Sequence, residues 1–319
     1  MTRASQTLAF VMDPPGSIDI RADTTFVLML EAQRRGHRVL YIDPADLGVC
    51  DGRATAVVQQ ATLRREQNRH TQLGPPRSLV LDDEVDVVLQ RKDPPVDTAY
   101  VTATQILTLC RRSLVLNRAE GILAANEKLY ALHFPELMAD TTVARKIPQL
   151  LDFMEKLGGE MIVKPLHGKG GEGIFYLHRD DRNVTSILEQ STAFESCWVM
   201  AQRYIPEVRR GDKRILLVDG EPIGAVLRVP PDHEVRSNLH VGGRPERTSL
   251  DDADRKIIDA VAPSLRRDGL FFVGIDVIGG YLTEVNVTSP TGVQEINAIE
   301  NRCLEARILD GVEALLDGR

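Results

Sequence analysis

The 319-residue sequence predicts an α/β chain, α+β taken as a whole. It divides into an N-terminal parallel-sheet domain (1–125), a small central domain (126–201) and a mostly antiparallel C-terminal domain (202–319). Three observations predict this. A strand–helix–strand pattern opens the chain, which implies a parallel pair with a right-handed crossover. A glycine-rich turn, Gly168 to Gly173, separates two strands in the middle. Near the C-terminus two apolar runs, Leu270–Ile278 and Tyr281–Val287, are split by Gly279-Gly280, a tight-hairpin signal.

Taken in order, Thr7–Asp13 is a buried strand ending in a proline turn. Thr24–Arg35 is amphipathic and closed by Gly36, and His37–Ile42 is the second strand. Asp86–Gln90 is a third strand that runs into Arg91-Lys92-Asp93-Pro94-Pro95. Open α/β sheets place ligands at such strand ends, so Arg91 and Lys92 either hold a substrate carboxylate or are solvated loop charges. Val96–Arg111 and Ala119–Ala125 read as helices around the strand Ser113–Asn117. In the central unit, Arg145–Leu157 is a helix, with strands at Glu160–Lys164, Ile174–Leu177 and Cys197–Tyr204. The glycine loop between the first two offers backbone N–H groups to an anion, or it is an ordinary hairpin tip. It is not a Walker loop, because no GK[ST] closes it. Ile215–Asp219 and Ile223–Val229 form a meander, and the polar stretch Pro230–Glu246 has the length of a lid. Helices at Asp251–Arg267 and Cys303–Leu316 flank the hairpin.

The hairpin carries polar groups where a plain strand would not. Asp276 lies on its first arm; Glu284 and Asn286 lie two apart on the second and share a face. Either these are hard oxygen ligands for Mg²⁺ held with substrate phosphates, or Glu284 and Asn286 form the wet face of an edge hairpin.

Composition narrows the function. The net charge is −7 and no long basic run appears, which argues against non-specific nucleic-acid binding. Cys50, Cys110, Cys197 and Cys303 are scattered without CxxC spacing, so no zinc site is expected and the thiols fit a reducing compartment. No apolar run reaches membrane-spanning length and no secretory signal opens the chain, so a cytoplasmic protein with no membrane partner is expected.

Several segments carry a resemblance. They are EAQRRG (31–36), RKDPPVD (91–97), NEKL (126–129), VKPL (163–166), GDKR (211–214) and LTEVNVTSPT (282–291). Together, over nearly the whole chain, they resemble the bacterial glutathione synthetase family within the ATP-grasp ligases. The resemblance implies an ATP-grasp fold whose central domain is a lid. It implies ATP-dependent ligation of γ-glutamylcysteine and glycine through an acyl phosphate, with ADP and phosphate released. ATP would be a substrate, and two Mg²⁺ ions the metal, with Mn²⁺ as an alternative ion.

Carried onto this chain, the resemblance gives each residue a role. Lys128 and Lys164 would hold the nucleotide phosphates, and Gly168, Gly170, Gly171 and Gly173 would close over them. Gln202, Arg203, Tyr204 and Ile205 would line the adenine pocket, with Asp212 near the ribose. Asp276, Glu284 and Asn286 would bind the metals. Arg214 and Arg228 would contact the transferring phosphoryl group, with Arg236 and Asn238 in a closing loop. Arg91, Ser289, Pro290 and Thr291 would shape the peptide site. A homo-oligomer, a tetramer, is implied, with the exposed face of helix 24–35 as a candidate interface.

The sequence departs from the family pattern at His167, His240-Val241 and Gln294. These departures leave open a ligase for a different acid or amine. A nucleotide-binding protein without ligase activity is a further alternative, against which the retained Lys128, Lys164, Arg214, Asp276, Glu284 and Asn286 speak.

Overall fold

The computed structural model describes residues 5–168, 170–231 and 242–318. Apolar runs at the start of the chain become buried strands. β1 (Thr7–Val11), α1 (Thr24–Arg34) and β2 (Arg38–Ile42) form the expected unit, with Thr7 beside Arg38 and Val11 beside Ile42 in parallel. Asp23 starts α1 by accepting the Phe26 amide, an N-cap that satisfies one orphan donor of the first turn.

Sequence patterning predicts no element between β2 and residue 86, yet the segment is ordered. It forms β3 (Leu47–Cys50), β4 (Arg53–Leu63), β5 (Thr71–Leu73), β6 (Arg77–Val80) and the short α2 (Leu81–Glu84). β4 pairs antiparallel with β2, β3, β5 and β6, so the N-terminal sheet is mixed rather than parallel throughout. Alternate residues of β4 are buried, which suits a sheet extension covered mainly on one side. The parallel part continues through β7 (Val87–Gln90), α3 (Thr98–Leu107), β8 (Leu114–Leu116) and α4 (Ala119–Ala124). There β1 pairs with β7 and β7 with β8.

The central unit contains β9 (Thr141–Ala144), α5 (Ile147–Lys156), β10 (Glu160–Pro165), β11 (Phe175–His178), α6 (Val184–Ser191) and β12 (Val199–Gln202). Its sheet is antiparallel in the order β11-β10-β12-β9. Leu150, Met161, Val163, Leu177 and Leu188 form a core separate from those of the rest of the molecule.

The C-terminal unit starts with β13 (Asp212–Val218), β14 (Glu221–Val229) and β15 (Arg244–Arg247). α7 (Asp252–Asp268), β16 (Phe272–Ile278), β17 (Tyr281–Asn286), α8 (Val293–Glu300) and α9 (Leu304–Asp317) follow. The strand order is β15-β14-β13-β16-β17. β15 corrects the end of the expected lid: residues 244–247 pair with β14 instead of continuing the loop. The remainder of that loop, 232–241, lies outside the described residues.

The N- and C-terminal units share a core. Phe26, Leu28 and Met29 belong to the same cluster as Ile308, Leu309 and Val312. Arg35 reinforces the contact by pairing with Glu31 at 2.8 Å and Glu313 at 2.9 Å. This corrects the expected interface on the helix after β1. Eight α1 residues, Thr24 to Met29, Glu31 and Ala32, are buried, because α9 of the same chain covers that helix.

Candidate active site

The hairpin of β16 and β17 forms as its glycines require. Gly279 and Gly280 have φ of 56° and 81°, the left-handed pair that a two-residue turn needs. The register sets Asp276 opposite Glu284 and Gly274 opposite Asn286. Ile275, Val277, Leu282 and Val285 point the other way, into the core under α7. One face of the hairpin is therefore apolar and the other presents oxygen atoms.

Asp276 is buried and Glu284 half-buried, so these two carboxylates need cationic partners. The sheet supplies them in register: Arg214 on β13 stands beside Asp276, and Arg228 on β14 beside Asp212. Arg214 engages both Asp276 oxygens through its Nε and Nη2, the latter at 2.8 Å. Such a two-pronged contact suits the planar guanidinium. Arg228 Nη2 bridges Asp212 and Asp276, the second at 2.9 Å. Lys128 Nζ, arriving from the loop before the central unit, lies 3.2 Å from Glu284 and donates to the Gly168 carbonyl at 3.1 Å. Lys164 Nζ, at the end of β10, donates to the Thr283 carbonyl at 3.4 Å.

These neighbours decide the protonation states. Burial opposes charge on Asp276, yet Arg214 and Arg228 hold its carboxyl well below the usual carboxylate range. Burial likewise opposes charge on Glu284, and Lys128 and Lys164 outweigh it, so its carboxyl is also lowered. Asp212 is pushed up to about 6 by burial, against the pull of Arg228. Burial pushes the Lys164 ammonium down.

A cleft of about 940 Å³ opens over this charged row. Lys128, Lys164, Gly168, Gly170 and Gly171 line its lid side, with Gly170 and Gly171 at φ of 59° and 85°, conformations that keep the loop open to a close approach. Gln202, Arg203, Tyr204 and Ile205 line it where β12 leaves the central unit. Gln202 is fixed by donating to Thr141 at 2.9 Å, and Tyr204 packs on Tyr176 with ring centroids 4.8 Å apart. Asp212, Arg214, Arg228, Asp276, Glu284 and Asn286 form the floor. Ser289, Pro290 and Thr291 line the far end, where the Ser289 hydroxyl donates to Asp93 at 2.6 Å.

Three expected site residues, Arg91, Lys92 and Gly173, lie elsewhere. Arg91 is buried behind the wall, neither a lining residue nor a solvated one. Its Nε donates to Thr25 at 3.1 Å, its Nη2 to the Pro290 carbonyl at 3.1 Å, and its guanidinium lies over Phe272. Lys92 pairs with Asp13 at 2.9 Å. Gly173 faces the Pro165 ring rather than the cleft. Arg236 and Asn238 fall outside the described residues, as do His240 and Val241. His167 is exposed and does not line the cleft. Gln294 also stands back from it, donating to the carbonyls of Ile20 at 3.1 Å and Asp23 at 2.7 Å.

Sequence analysis does not single out the loop 13–23, whose Asp13, Ser17, Ile18 and Asp23 line the cleft, nor Glu127 and Glu295. The proline turn after β1 is the signal that could have found the loop, since it sits at a strand's C-terminal end.

The donor set fits Mg²⁺. Asp276 and Glu284 face each other as charged carboxylates, and Asn286 uses its Nδ2 on the Gly274 carbonyl at 3.1 Å, which leaves its Oδ1 for a cation. Among the described residues no three His, Cys, Asp or Glu converge as a complete metal cage.

Three sheets meeting over a cleft with a glycine loop, two lysines and an acidic hairpin define an ATP-grasp ligase. Comparison with known proteins agrees. The family model of the prokaryotic glutathione synthetase ATP-grasp domain matches residues 127–301, and that of the N-terminal domain matches 7–122. The chain is 47% identical over 310 residues to the glutathione synthetase of Gloeobacter violaceus, covering 95% of each chain. It is 44% identical over 308 residues to that of Mesorhizobium japonicum, covering 96% of this chain and 97% of the other. The fold also matches the D-cycloserine synthetase DcsG, with TM-score 0.70, 16% identity and coverage of 97% and 99%. The chain belongs to the prokaryotic glutathione synthetase family, and it is an ATP-dependent ligase of glutathione synthesis.

Proposed function

We propose that this cleft joins γ-glutamylcysteine to glycine through an acyl phosphate. The observation that carries the reading is the charged row Arg228–Asp212, Arg214–Asp276–Glu284, with Lys128 and Lys164 above it. Amide formation from a carboxylate is uphill, so the cysteinyl carboxylate must first become an electrophile. One of its oxygens attacks the γ-phosphorus of ATP, and the bond to the ADP oxygen breaks. The glycine amine then attacks the acyl carbon, loses a proton, and expels phosphate from a tetrahedral intermediate.

The protein's share is orientation and charge stabilisation. Lys128 and Lys164 would hold the nucleotide phosphates, Gly168, Gly170 and Gly171 would close over them, and Gln202 to Ile205 would hold the adenine. Arg214 and Arg228, already fixed by Asp276 and Asp212, would neutralise charge on the phosphoryl oxygens without reorganising. Asp276, Glu284 and Asn286 would hold two Mg²⁺, which when bound neutralise the β- and γ-phosphates and the developing charge. Ser289, Pro290 and Thr291, backed by Arg91, would shape the peptide end, with Arg236 and Asn238 in the closing loop. An acyl phosphate hydrolyses if water enters, so the central domain 126–201, whose β9–β12 part has its own core while Tyr130 to Met138 pack in the C-terminal core, serves as the lid between domains 1–125 and 202–319.

The reading includes a homotetramer, which sedimentation checks, and a cytoplasmic setting. Among the described residues no helix is long and apolar enough to cross a membrane, and the four cysteines are free. The test of function is ADP release with γ-glutamylcysteine, alone and with glycine. Glycine-dependent turnover is expected. Turnover with another amine only would move the chain to a different substrate pair, and none with any pair would leave a nucleotide-binding protein.

A further inference from the structure

Glu127 joins the lysine side of the cleft to its acidic floor. It lies between Asn126 and Lys128, in the loop that enters the central unit. Its Oε1 accepts the Val287 amide at 3.1 Å, the Thr288 amide at 3.2 Å and the Thr288 hydroxyl at 2.8 Å. Its backbone carbonyl accepts the Val285 amide at 2.9 Å. One residue thus takes four donors from 285–288, the segment that interleaves with and follows Glu284 and Asn286.

Its neighbours extend the staple. Asn126 donates to the Leu166 carbonyl at 3.1 Å, just beyond Lys164, and accepts the Lys128 and Leu129 amides at 3.1 and 3.0 Å. Lys128 spans Glu284 and Gly168. No ion pair to Glu127 is found among the described residues, and burial together with the Glu284 charge raises its carboxyl. A carboxylate in that setting is costly, and charge pairing does not account for it. Its Oε1 is placed to hold backbone.

We propose that Glu127 is a positioning residue: it clamps the exit of β17 to the lysine loop, so that Lys128 and the Glu284–Asn286 face keep one spacing across the cleft. This rests on the reading of the cleft given under Proposed function. A misplacement of about 1 Å in a reacting geometry costs roughly 100-fold in rate, which makes such a clamp measurable.

The test uses the full chain with Glu127→Ala and Glu127→Gln, the second keeping an acceptor oxygen in the same place. Two quantities are read: steady-state kcat and KM, and amide exchange at Val285, Val287 and Thr288 without nucleotide or metal. Glu127→Ala should lower kcat about 30- to 100-fold, change the peptide KM less than about threefold, and speed exchange of the Val287 and Thr288 amides about tenfold or more. Glu127→Gln should restore both readouts to within about threefold of wild type. The proposal is overturned if the alanine variant keeps kcat within about threefold, or if the glutamine variant is as poor as alanine. Should the alanine variant not fold, Thr288→Val removes one donor. A drop in kcat of about three- to tenfold is then expected, and an unchanged kcat overturns the clamp. If the wild-type chain shows no glycine-dependent turnover, the functional reading fails instead, and the exchange data still decide the clamp.

Discussion

Strands β1 and β7 lie inside their sheet and the hairpin β16–β17 closes the edge of another, and the two are made of different materials. β1 and β7 are covered on both faces and are apolar except at Thr7 and Gln90, as parallel strands between helices tend to be. The hairpin is apolar only toward α7, and its other face carries Asp276, Glu284 and Asn286. The difference teaches what a buried carboxylate is for. In the first region burial stabilises and nothing reacts; in the second, charge is kept in the interior by arginines and lysines placed in register. Such a face adds little net stability, so its use is chemical.

The comparison can be broken at several points. The largest effect is expected from Glu284→Gln, which removes a charge and little volume. Turnover should fall about 1,000-fold while the urea midpoint stays near wild type, measured by ADP release beside denaturation. Near-full activity would return the hairpin to the class of β1. Next is Arg228→Met, which leaves Asp212 and Asp276 short of a partner. A loss of about 3–5 kcal/mol is expected on urea unfolding, with turnover lost as well. Leu8→Ala in β1 should cost about 3 kcal/mol by the same unfolding measurement, with kcat per folded molecule unchanged.

The smallest effect concerns Asp82, which sits far from the cleft. Burial disfavours its charge, but the Ser113, Arg111 and Arg112 amides outweigh this and lower its carboxyl. A lowered folded-state value means stabilisation that is present above the ordinary aspartate range and lost as pH falls toward the folded value. Asp82→Asn should therefore reduce stability at neutral pH by no more than about 1 kcal/mol, and the deficit should vanish in acid, as unfolding at several pH values would show.

Much of this was legible because it is local. Gly279-Gly280 announces the hairpin, and counting residues from the turn sets Asp276 against Glu284. What was not legible depends on partners far along the chain. Arg91 is buried by Thr25 and by Pro290, 199 residues away, and nothing in RKDPP says so. Glu127 takes its donors from 160 residues downstream. The face of α1 looked free because the helix that covers it, α9, ends the chain. β4 carries an alternating pattern, but its pairing with four different strands is a tertiary fact.

The proposed step is activation of a carboxylate as an acyl phosphate in the charged cleft. It is tested most directly by γ-glutamylcysteine carrying ¹⁸O in its cysteinyl carboxylate, turned over with ATP and glycine. The account predicts that each phosphate released carries one ¹⁸O from the peptide, because the carbon–oxygen bond breaks when the amine displaces phosphate. Unlabelled phosphate, with the displaced ¹⁸O recovered in water, would contradict it.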